Sequence, residues 1–146
     1  MNNKISIGNS GEYFVAGELE RRGFTVAVPM SNVKDFDILI IQREEPNKQF
    51  AIQVKTTSTE QKRWRLGKKN EGISKKNIFY IFVCLNGEST PEYHIVPSKV
   101  VAKAITADHE KWLITPGLNG RTHNDNDSRF FHDEEDKYLN RWDLLK

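Results

Sequence analysis

The stretch NIFYIFVCL, residues 77–85, places apolar side chains on both faces of any strand it forms. Such a strand must be covered from two sides, which points to a central place in an α/β sheet with layers packed above and below. At 146 residues the chain is expected to form a single domain, 1–146, with a core of useful size. Its 37% hydrophobic and 29% charged content is ordinary for a water-soluble fold. No apolar run approaches the length of a bilayer span, so no membrane partner is expected. The N-terminus, MNNKISIGNS, lacks the basic-then-apolar pattern of a secretory signal, and a cytoplasmic home follows. Cys84, the sole cysteine, lies inside the apolar run, where a buried structural thiol is a better reading than a nucleophile.

Around that strand the pattern alternates between helix and strand. SGEYFVAGELERR, residues 10–22, reads as an amphipathic helix capped by Ser10, with Gly23 as its stop. FTVAVP follows as a strand, SNVKD as a turn, FDILIIQ as a second strand and QFAIQVKTT as a third, joined through EEPNK. PEYHIVP forms a further strand, and Ser98 is placed to cap a helix over SKVVAKAITA. The Gly- and Asx-rich run from 116 predicts loop, and DEEDKYLNRWDLL a C-terminal helix anchored by Tyr138, Trp142 and Leu145. The order is that of a mixed central sheet flanked by helices.

The hairpin over residues 36–57 carries polar groups where a core would be expected. Asp37 heads its first strand, and Gln53 and Lys55 share one face of its second, opposite Phe50, Ile52 and Val54. If the strands pair antiparallel, these groups converge into oxygen donors beside an ammonium. That set suits a hard divalent cation and phosphodiester hydrolysis. Two plainer readings fit the spacing as well: Lys55 reaching water at a strand end with Asp37 as its ion-pair partner, or Gln53 and Lys55 on a solvated face.

The series Gly8 to Glu12, Leu19, Gly23, Phe24, then DFDILI and IQVKTT, resembles the PD-(D/E)xK, or restriction-endonuclease-like, nuclease superfamily. It is closest in pattern to small Holliday-junction-resolvase-like and tRNA-endonuclease-like domain proteins. The likeness is motif-level over residues 8–57 and topological from 77 to 105, so 8–105 would be the core, of order αβββ-β(β)α. It implies a metal-dependent endonuclease acting on DNA or structured nucleic acid, using Mg²⁺ or Mn²⁺, and a homodimer. Carried over by motif, Glu12, Asp37, Gln53 and Lys55 would be catalytic. Glu12, Asp37, Gln53 and the Val54 backbone carbonyl would hold the metal. Gln53 departs from the pattern, which has Glu there; an amide keeps an oxygen donor but gives up a charge. A catalytically inactive nucleic-acid-binding or protein-interaction module on the same fold is the alternative. For Glu12 alone, a solvated carboxylate in the first helical turn is the plainer reading.

A basic segment follows the third strand. Lys62, Arg63, Arg65, Lys68, Lys69, Lys75 and Lys76 surround Trp64 in an expected insertion or loop over 57–76. The lysines and arginines suit phosphate contacts, and the indole suits stacking on an unpaired base. The competing account is a solvated charge run with Trp64 packed on the body. The last 25 residues are acidic on balance. The string HNDND and the nearby histidines match no zinc spacing and read as Asx turns.

Overall fold

The computed structural model describes residues 3–31 and 36–146; residues 32–35, most of the expected turn SNVKD, lie outside the described residues. The elements run α1 (Lys4–Arg21), β1 (Phe24–Ala27), β2 (Ile38–Gln42), β3 (Gln49–Thr57), β4 (Arg63–Gly67), β5 (Ile78–Cys84), β6 (Glu92–Pro97), α2 (Ser98–Ile114) and β7 (Ser128–His132). A five-stranded sheet has the order β1-β2-β3-β5-β6, and β4 and β7 form a separate antiparallel pair. Within the large sheet β3 pairs antiparallel with β2 and parallel with β5. Among the described residues no helix is long and apolar enough to cross a membrane.

β5 sits inside the sheet with both faces covered, as its composition requires. Phe79, Ile81 and Val83 join Val15 and Leu19 of α1 in one core. Tyr80, Phe82 and Cys84 turn the other way, to Val101 and Ile105 of α2 and to Trp64 and Phe131 of the small sheet. Burial pushes the Cys84 thiol up to about 11, in keeping with an inert structural cysteine.

Several local expectations are corrected. α1 begins at Lys4 because Asn3 caps it, its side-chain oxygen accepting the Ser6 N–H at 2.7 Å. Ser10, expected as the cap, instead donates its hydroxyl to the Ser6 carbonyl at 2.7 Å within the helix. Gly23 does end the helix, at φ 98°. Ser98 does not cap α2; its hydroxyl binds the backbone of Lys75, donating to the carbonyl at 2.8 Å and accepting the N–H at 2.9 Å.

The basic segment is not a loop. Residues 63–67 form β4, register-paired with β7 through Trp64 and Phe131, and Lys68–Gly72 make a 3-10 turn. The C-terminal helix is absent as well. Asp136 and Asn140 adopt left-handed φ values of 57° and 55°, which no α-helix accommodates. The backbone there pairs with β6 instead: Ile95 N–H donates to the Tyr138 carbonyl at 3.0 Å and Asn140 N–H to the Tyr93 carbonyl at 2.8 Å. Leu145 is nonetheless buried and Trp142 packs on Tyr93, so the anchors hold without the helix.

Candidate active site

The site is built where β2 ends and β3 continues. β2 starts at Ile38 whereas β3 runs on to Thr57, so the later backbone groups of β3 lack a β2 partner. Asp37 fills that gap. Its N–H donates to the Ile52 carbonyl at 2.8 Å, and its carboxylate accepts the Val54 N–H at 2.8 Å. A strand N–H lies in the sheet plane, so this bond holds the Asp37 carboxylate at the sheet edge, within reach of both faces.

Glu12 arrives from the α1 side. The helix approaches β3 closely at Gly11, where a Cβ would lie 1.8 Å from Thr56 Oγ1. Any larger residue would lift α1 and carry Glu12 away from β3. Gly8, the glycine that opens the sequence motif, has open space around it. Glu12 and Asp37 line one cavity of about 270 Å³ with Val28, Pro29 and Phe36. The Glu12 carboxyl is held above its ordinary value, first by burial and then by the negative charge of Asp37. Two carboxylates facing one another across a half-buried cavity favour a cation between them.

On the other face of β3 the polar groups are arranged differently. Gln53 is 6% exposed, and its amide oxygen accepts from Asn70 Nδ2 at 3.3 Å. Asn70 also donates to the Tyr80 hydroxyl at 2.8 Å and accepts the Gly67 N–H at 2.9 Å. Asn70 drew no attention in the sequence, where KKNEG reads as solvated turn; only the fold brings it under β3. Lys55 lies two residues beyond Gln53 on the same face, half-buried.

The basic residues divide. Trp64 is 2% exposed, donates its indole N–H to the Val83 carbonyl at 3.0 Å and packs on Phe82, so it serves the core and cannot stack on a base. Arg63 stacks over the Phe130 ring at 3.6 Å and Arg65 donates to Ser128 Oγ at 2.9 Å. Lys62 forms ion pairs with Asp136 and Glu92. Lys68, Lys69, Lys75 and Lys76 are exposed. In the Asx-rich run, Asn126 accepts the Ser128 N–H at 3.0 Å, a turn of the expected kind.

No known family model matches the sequence, and no curated protein does. Among solved structures, a bacterial homing endonuclease, I-Ssp6803I, superposes with a TM-score of 0.57 over 99% of this chain and 92% of that one, at 11% identity. The fold is like that of a nuclease. At that identity the likeness is one of fold alone.

Proposed function

We propose that the chain is a single nuclease-like domain, a metal-dependent endonuclease of the PD-(D/E)xK type that hydrolyses phosphodiester bonds in DNA or structured nucleic acid. The observation that carries the reading is the meeting of Glu12 and Asp37, from a helix and a strand edge, with the Glu12 carboxyl raised by burial and by its neighbour's charge. Hard divalent cations take oxygen ligands and keep several waters, so two carboxylates on an open cavity fit Mg²⁺ or Mn²⁺. Glu12 and Asp37 would hold the ion, with the Val54 carbonyl and, once released from Asn70, the Gln53 amide oxygen as further donors. When bound, the ion supplies charge neutralisation at the phosphate and activation of water.

The protein's own groups have separate tasks. The Val54 N–H fixes the Asp37 carboxylate at the sheet edge, so no reorganisation is needed to present it. The Lys55 ammonium would stabilise charge developing on the phosphate. Before a cation arrives, Glu12 retains a proton to higher pH than an ordinary glutamate and relieves the repulsion with Asp37. Lys68, Lys69, Lys75 and Lys76, all exposed, would contact the phosphate backbone without reading sequence.

The second reading, a nucleic-acid-binding module without catalysis, is favoured by the engagement of Gln53 with Asn70, itself bonded to the Tyr80 hydroxyl, rather than with the carboxylate pair. A cleavage assay separates the two. Duplex, nicked, forked, four-way-junction and single-stranded substrates, as DNA and RNA, are incubated with Mg²⁺, Mn²⁺ or EDTA. The endonuclease reading expects metal-dependent cutting that Asp37→Asn and Lys55→Ala each lower by more than about 100-fold. Salt-dependent binding with every substrate uncut would leave the module.

A further inference from the structure

Away from the Glu12–Asp37 cavity, β6 carries a histidine in an unusual position. His94 is fully buried (0% exposed), and its Nδ1 lies 2.7 Å from Asp133 Oδ2. Asp133 also accepts the backbone N–H groups of Lys137 and Tyr138, at 3.0 and 2.9 Å, so it acts as an acceptor throughout. In the neutral imidazole the proton therefore sits on Nδ1, which leaves Nε2 with a lone pair. Nε2 is buried and has no hydrogen-bond partner among the described residues. Native folds rarely leave such a group unsatisfied without a reason.

The surroundings supply the reason. A ring nitrogen of His94 and one carboxylate oxygen each of Glu92 and Asp136 all lie within 4.8 Å of one another. With Nδ1 committed to Asp133, Nε2 is the nitrogen free to coordinate. A carboxylate that receives the far N–H of an imidazole is the arrangement that orients histidine ligands in metal sites. The cluster already attracts a cation, because the Lys62 ammonium contacts Asp136 and lies 3.8 Å from Glu92.

We propose that Glu92, His94 and Asp136 form a binding site for a divalent cation of the zinc class, entered by displacement of the Lys62 ammonium. A mixed nitrogen and oxygen set suits Zn²⁺ or Co²⁺ better than Mg²⁺. Bonds to Zn²⁺ near 2.0 Å put tetrahedral ligands about 3.3 Å apart, so the cluster tightens as the ammonium swings out to water. Three protein ligands leave a fourth position for water. Glu92 and His94 belong to β6, and Asp136 to the left-handed turn that follows β7. A metal there cross-links the C-terminal segment to the large sheet. The inference does not rest on the nuclease reading, since His94 faces away from the core that α1 covers.

The test is Zn²⁺ titration of the metal-stripped full chain by calorimetry, with Co²⁺ visible absorption and the unfolding temperature as further readouts. Asp136→Asn keeps the left-handed turn, which Asn tolerates, and Glu92→Gln keeps the strand, so neither depends on a core histidine substitution folding. The proposal expects saturable Zn²⁺ binding that raises the unfolding temperature, with a tetrahedral-type Co²⁺ spectrum. Asp136→Asn and Glu92→Gln should each weaken binding by at least about 10-fold, and Lys62→Gln should tighten it. Zn²⁺ binding lowered by Asp37→Asn and not by Asp136→Asn would belong to the Glu12–Asp37 pair instead, which separates the two sites. No saturable binding to the natural chain, or an affinity indifferent to Asp136→Asn, overturns the proposal.

Discussion

Carboxylates are treated differently on the two sides of the large sheet. On the side of the small sheet and α2, four carboxylates have partners: Glu71 with Arg129, Asp133 with His94, Asp125 with His109 and Asp136 with Lys62. On the α1 side, Glu12 and Asp37 face one another with no cation between them among the described residues, and Glu12 is raised by burial and that charge. Paired charges knit strands together and are spent on structure. A like-charge pair left at a cavity does nothing for stability, and its presence points to a task other than folding.

Breaking a pair on the first side should have the largest effect on stability. Arg129 is 3% exposed and holds Glu71 against β7, so Arg129→Ala strands a carboxylate and is expected to cost about 3 kcal/mol in urea denaturation. A loss below about 1 kcal/mol would mean that the small sheet does not depend on this pair. The approach of α1 to β3 sharpens the contrast next. Gly11→Ala should cost about 1 to 3 kcal/mol through the clash with Thr56, and should weaken metal binding by lifting Glu12. Gly17→Ala, on the same helix with open space around it, should instead stabilise by about 1 kcal/mol.

The smallest expected effect has the opposite sign to the first. A carboxyl whose folded value lies above its unfolded one binds more protons in the folded state. Stability is therefore lost as pH rises from about 4.5 through the raised folded value. Glu12→Gln should remove that loss, leaving the protein at pH 7 at least as stable as the natural chain. Urea midpoints between pH 4 and 8 would show the flattened slope. A glutamine variant that is less stable at pH 7 would mean that Glu12 has a structural partner after all.

The α1 side was also the more legible in sequence. β3 runs over the residues its alternation marks, Gln49–Thr57, and β5 is central as its two apolar faces require. The elements that build the Glu12–Asp37 pair lie close in sequence, although the register that sets Asp37 beside Val54 comes from the assembled hairpin and not from the sequence pattern. The other side depends on pairing across long separations. The alternation in RWRL, with Trp64 and Leu66 inward and both arginines outward, is itself strand-like, but the surrounding charge masks it and its partner Phe131 lies far along the chain. DEEDKYLNRWDLL carries helical spacing and an acidic first turn, yet its backbone is drawn to the open edge of β6. Local preference loses there to unpaired strand groups that only the assembled sheet presents. For the same reason Asn70, which holds the Gln53 amide, was not legible from its own neighbourhood.

The claim on which the functional reading turns is that Glu12 and Asp37 are a like-charge pair suited to a divalent cation. The most direct measurement is the titration of the Glu12 side-chain carboxyl by carbon-detected NMR, with and without Mg²⁺, in the natural chain and in Asp37→Asn. The account predicts a Glu12 value above that of an ordinary glutamate, lowered by Asp37→Asn and lowered also by Mg²⁺ in the natural chain. A Glu12 titration that ignores both the substitution and the ion would contradict it.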